Sequence, residues 1–159
     1  MRRFLLATLL VLSLMPLASS QETKAPAKAE IPSQAELEKK FEVDMSGVTL
    51  VGFFTRTDQD MKDLKEERYT ITKVSKLQGD TWLFQVRIQY GGKDATLPLP
   101  LEVKWAADTP MITMTNTPVP GFGTFTCRVM FYDKHYAGYW SGGDHGGHLF
   151  GRIEKAKGE

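Results

Sequence analysis

Asp144, His145 and His148 lie within one short stretch, YWSGGDHGGHLFG, which spans residues 139–151. Imidazole and carboxylate are donors that suit zinc or copper, provided three or four of them converge at about 2 Å from the ion. A metal held by Asp144, His145 and His148 would make this a hydrolytic centre. The same stretch carries five glycines. Glycine supplies the positive φ angles of a tight chain reversal. A glycine-rich loop is also poor support for metal ligands, because ordering it costs conformational entropy. His135 sits at the far end of the preceding strand, roughly 20 Å away at about 3.3 Å per residue, and is out of reach. The turn explains all five glycines and is the preferred reading. The metal site is the alternative.

Other reactive side chains point to less. Cys127 is the only cysteine, so no internal disulfide can form. It shares an alternating face with Phe125, Val129 and Phe131 and reads as a small buried residue. Asp58, Asp60, Asp63, Glu66 and Glu67 are interleaved with Lys62, Lys65 and Arg68, as in a solvated loop of mixed charge. A calcium loop would be more densely acidic, with a glycine near its middle. Gly121-Phe-Gly123 lacks the lysine and helix of a phosphate loop. Ser46, Ser75 and Ser141 have no nucleophile-elbow context.

The elements that would position these residues are mostly strands. Trp82, Phe84, Val86, Ile88 and Tyr90 alternate with Leu83, Gln85, Arg87 and Gln89. Leu97, Leu99, Leu101, Val103 and Trp105 alternate in the same way with Thr96, Pro98, Pro100, Glu102 and Lys104. This period of two is the mark of strands with one buried face. Further strands are expected over 48–55, 67–77, 110–116, 122–132, 135–141 and 147–155. Trp82, Trp105 and Phe125 are expected in the core. Most connections are short, so neighbours should be antiparallel. The exception is the charged segment from Arg56 to Glu66. Gly138 and Gly151 fall inside strands, where they make room for an aromatic such as Trp140.

The fold class that results is all-β. It is an antiparallel up-and-down meander of about eight strands, forming a closed or partly open barrel with a short N-terminal helix. Its plan is similar to the lipocalin-like and avidin-like barrels, a calycin-like architecture, and fold alone does not assign function. Pro98 and Pro100 lack the N–H for one ladder, so pairing should lapse there at a bulge or an open seam. Thr117-Pro-Val-Pro-Gly121 could turn the chain between two sheets. The inward bulk leaves little room for a ligand, since eight strands enclose an interior only just wide enough for side chains. Ser33 and Glu36 form a capping box at the start of a helix running to about Met45, with Leu37 and Phe41 on one face.

Residues 1–20 read as a signal peptide: Arg2 and Arg3, an apolar run from Phe4 to Leu17, then Ala18-Ser19-Ser20. Cleavage is expected before Gln21, and the localisation is secreted or periplasmic. Residues 21–33 are Lys-, Ala-, Glu- and Pro-rich and read as a flexible linker; 34–155 form the single domain. Without the leader the formal charge moves from +1 to about −1. That balance excludes a nucleic-acid footprint and a polybasic membrane patch. No later stretch is apolar and long enough for a transmembrane anchor.

The phrases SGVTLVGFFT, KEERYTITKVSKLQGDTWLF, LPLPLEVKWAADTPMITMT and GFGTFTCRVMFYDKHYAGYWSGGDHGGHLFGRIEK resemble a group of small secreted proteins of planctomycete-type bacteria. The resemblance covers about residues 34 to 155. It implies an exported single domain and carries over no functional site. The sequence expectation is therefore a non-catalytic, cofactor-free binding or structural module of the cell envelope. Its partner would be another envelope protein or a small apolar ligand. The alternatives are a metal-dependent hydrolase at the Asp144 turn and a lipocalin-like carrier.

Overall fold

The computed structural model describes residues 32–90 and 92–156. The expected signal peptide and all of the linker before Pro32 lie outside the described residues. Among the described residues, one helix, α1 (Gln34–Asp44), precedes eight strands. These are β1 (Val48–Phe54), β2 (Lys65–Gln78), β3 (Thr81–Tyr90), β4 (Lys93–Ala106), β5 (Thr109–Val119), β6 (Gly123–Tyr132), β7 (His135–Gly142) and β8 (His145–Lys155). Each strand pairs antiparallel with the next, and β8 returns to β1, which closes the barrel. The expected meander is thus a closed barrel.

The helix begins where its chemistry dictates. Ser33 is the N-cap, and the Glu36 carboxylate accepts the Ser33 backbone N–H at 2.8 Å. That satisfies donors a helix start would leave free. Ser33 is therefore part of the domain, and not the last residue of the linker. Leu37 and Phe41 are buried. Phe41 meets Trp82, Phe84, Trp105 and Phe131 edge-on, with ring centroids 5.2 to 6.4 Å away. The helix therefore stoppers one mouth of the barrel. Ser46 Oγ fixes its exit by donating to Glu42 O and accepting from Val74 N.

The inward face of the barrel is apolar. Trp82, Phe84, Val74 and Val103 are the most completely buried side chains. Trp105 and Phe125 are only half-buried, because they sit near the two rims and not at mid-height. Cys127 is buried, and burial pushes its thiol up to about 11, so it stays protonated.

The two prolines behave as their chemistry requires. β3 pairs with β4 along its whole length, through Pro98 and Pro100. β4 pairs with β5 only from Glu102 to Ala106. Val103 directs its N–H to Asp80 O, on the β3 side. Alternate residues point the other way, so Pro98 and Pro100 present their missing N–H to β5. A surface depression of about 240 Å³ fills the resulting gap, lined in part by Pro100, Glu102, Thr113 and Thr115. The 117–121 segment is not a corner between two sheets. β5 runs on to Val119 within the one barrel, and its pairing with β6 shifts register between Met114 and Thr117. Asn116 takes φ 50° there. A shifted register of this kind bends the strand while its pairing continues.

Candidate functional site

β8 begins at His145, two residues earlier than its sequence pattern indicates, so the reversal consists of Gly143 and Asp144 alone. Gly143 has φ +63° and Asp144 does not have a positive φ. A positive φ at the first central residue alone is the signature of a type II′ hairpin. This registration decides where the histidines go. Residues three apart on a strand face opposite sides. His145 turns to the barrel's open end, with its ring 5.5 Å from that of Trp140. His148 is exposed on the outer wall, where its ring lies 5.8 Å from Tyr139. His135, at the opposite end of β7, bonds through Nδ1 to Asp133 O at 2.7 Å.

Asp144 and His145 do meet. His145 Nδ1 lies 2.8 Å from Asp144 Oδ1, and this contact holds the Asp144 carboxyl below its usual range. Arg56 grips Asp58 through two bonds of 2.7 and 2.9 Å, which holds that carboxyl down to about 2. The Asp144 charge also acts on Arg56. The rim is therefore a surface network of charge, with its acids held ionised. Thr55 and Thr57 tie the β1–β2 loop to β8, each through its backbone N–H and its hydroxyl. Among the described residues, no three His, Cys, Asp or Glu side chains form a group that could hold a metal ion.

The buried polar site is elsewhere, and sequence reasoning missed it. Glu67 is only 4 % exposed. It lies on β2 with Tyr69 and Ile71 on the inward face, not in a solvated loop. Tyr69 Oη donates to its Oε2 at 2.8 Å and Tyr136 Oη to its Oε1 at 2.9 Å. The alternation Glu67, Tyr69, Ile71 was the available signal, hidden by charged neighbours on both sides.

Four strands build this site. Tyr136 pairs with Gly151, Gly151 with Gly52, and Gly52 with Glu67. The tyrosine lies across the two glycines to reach the carboxylate. A Cβ on Gly151 would come within 2.7 Å of the Tyr136 ring, and one on Gly52 would collide with its hydroxyl. The strand glycine at 151 therefore makes room for Tyr136, not for Trp140. Burial raises the Glu67 carboxyl above its ordinary value, and the two phenol bonds act against that shift. Burial, then the adjacent Glu67 charge, raises Tyr136. Both phenols therefore act as donors to Glu67. Both tyrosines pack in or against the core, so the geometry serves as a clasp, and an open surface groove of about 560 Å³ beside it is lined in part by Gly52, Phe53, Glu66, Glu67 and Arg68.

The chain matches no protein-family model, no curated protein and no solved structure. Among the described residues no helix is long and apolar enough to cross a membrane.

Proposed function

We propose that this chain is an exported, non-catalytic binding or structural module of the cell envelope. One observation carries the reading. The barrel is filled by its own side chains and stoppered by α1, so its outer surface is what it presents to other molecules. A carrier needs an interior pocket able to enclose most of its ligand. The positions of Trp82, Phe84, Val103 and Phe41 occupy that space instead. Nor does the turn at residue 143 favour a hydrolase, since His145 and His148 face opposite sides of β8. The leader-like residues 1–20 and the resemblance to small secreted proteins support export.

Two measurements test this proposal. Mass spectrometry of fractionated cells should find a chain beginning near Gln21 outside the cytoplasm; a cytoplasmic pool with intact Met1 would contradict export. Fatty acid titrated into the protein while tryptophan emission is followed should give no saturable change. One-to-one quenching would restore the carrier reading.

A further inference from the structure

The outer wall of the barrel has two unlike halves. The outward positions of β2, β3 and β4 carry charges, with Glu66, Arg68, Asp94, Glu102 and Lys104 exposed and Arg87 half-buried. Those of β6, β7, β8 and β1 carry Met130, Tyr132, Tyr139, Phe150 and Phe53, between 39 and 63 % exposed. The only carboxylate facing outward there is Glu154, and it is bonded to Arg152. The remaining arginine, Arg128, is turned onto the carbonyls of Met114 and Cys127. Lys155, exposed at the very end of β8, is the one lysine of these four strands, and they contain no aspartate. Enrichment in aromatic residues, Met and Arg, with depletion of Lys, Asp and Glu, is the composition of a protein–protein interface.

The register sets the shape of this face. Met130 pairs with Ala137, Ala137 with Phe150, and Phe150 with Phe53. A small side chain thus lies between two bulky ones and leaves a notch. The Phe150 and Phe53 rings form one ridge beside it, 6.4 Å apart.

We infer that this face is the contact between two copies of the chain, with Phe150 of each copy seated in the Ala137 notch of the other about a twofold axis. Three observations select a second copy over other occupants. The arginines on the face are already engaged, so a twofold brings no free like charges together. A neutral face also offers nothing for a strongly charged partner to complement. The exposed side chains present on the order of 500 Å² at roughly 150–250 Å² per aromatic. That approaches the area of about 800 Å² that each partner contributes to a standard interface. Notch and ridge lie on neighbouring strands of one face, the self-complementarity an isologous dimer requires. This inference deepens the proposed reading by naming the partner, and it rests on that reading only in taking the outer wall as the working surface.

The test uses the chain from Gln21, which carries the whole described barrel and helix, in sedimentation velocity between 1 and 200 μM (roughly the range in which interfaces of this class associate). A concentration-dependent dimer is expected. Phe150→Glu should weaken it at least tenfold. Ala137→Trp adds apolar surface while filling the notch, so it should also weaken the dimer tenfold or more. Non-specific association would instead be strengthened by that change. Near-ultraviolet circular dichroism on each variant verifies that the barrel is intact. A monomer at every concentration overturns the inference, as does a dimer indifferent to both substitutions. Binding to phosphatidylcholine vesicles that Phe150→Glu abolishes, with no dimer formed, would assign the face to lipid and likewise overturn it. None of these results bears on export, which the fractionation experiment decides separately.

Discussion

Tyr136 of β7 hydrogen-bonds Glu67 of β2 at 2.9 Å, although β8 and β1 lie between them. The phenol spans two strands because Gly151 and Gly52 carry no side chain in its path. The pairing of β1 with β8 joins the ends of the sheet, and this contact passes over that junction.

Glu67 should make stability depend on pH. Its carboxyl is raised in the folded state, chiefly by burial. The stability it contributes is complete below the unfolded value and is lost as pH rises through the folded one. Glu67→Gln cannot ionise. Urea unfolding at intervals from pH 4 to pH 8 should show the variant gaining on the wild type as pH rises. Parallel stability curves would show that Glu67 carries no such cost.

Tyr136→Phe removes one of the two donors to that carboxyl. The loss should be about 1.5–3 kcal/mol where Glu67 is ionised, the usual worth of a hydrogen bond to a charged group, and about 0.5–1.5 kcal/mol where it is neutral. The check is the difference between wild type and variant at the two ends of the same pH series. An equal loss at both ends would mean that the phenol contributes packing only.

Gly52→Ala should destabilise by at least about 1–3 kcal/mol, the usual cost of overpacking. Its Cβ would meet both Phe150 O and the Tyr136 hydroxyl. Gly143→Val should also be costly, but through its positive φ, since open space surrounds it. Thermal unfolding of the two variants checks both, and a wild-type midpoint for Gly52→Ala would contradict the crowding described here.

Phe41→Ala should cost about 3–5 kcal/mol, the range for a large aromatic removed from a core. Amide exchange over residues 35–43 should be slow in the wild type and much faster in the variant. Fast exchange in both would mean that the helix does not hold the mouth closed.

His148→Ala should change stability by no more than about 0.5 kcal/mol, as exposed substitutions usually do. Zinc titrated calorimetrically is expected to give no stoichiometric heat with the wild type. One-to-one binding at micromolar affinity, abolished when His145 and His148 are both replaced by Ala, would restore the metal site at Asp144.

The strands were legible because alternation survives wherever one face is buried. Trp82 to Tyr90 and Leu97 to Trp105 show it most clearly. Pro98 and Pro100 marked the lapse in pairing because a missing N–H is a local fact. Glu67 escaped because composition averages over neighbours, and Glu66 and Arg68 on either side do face solvent. The bond from Tyr136 joins residues 69 apart in the chain, and no local pattern encodes it. Phe53, Phe150 and Met130 were obscured for the opposite reason: they are apolar on the outward face, which breaks the alternation used to read strands. The two histidines were legible as residues of a turn, but the start of β8 at His145 decides which way each points, and element ends are the least certain part of any pattern.

The pairing of Val48–Phe54 with Leu149–Lys155 joins segments about a hundred residues apart. During synthesis, β1 emerges early and must wait for the last strand. Until then it can pair only with β2, and its other edge remains open to any passing strand. Contacts of such long sequence separation form slowly. A stop codon before Leu149 would remove few residues, yet it would expose an edge on both β1 and β7. The truncated chain should aggregate rather than persist as a slightly smaller barrel.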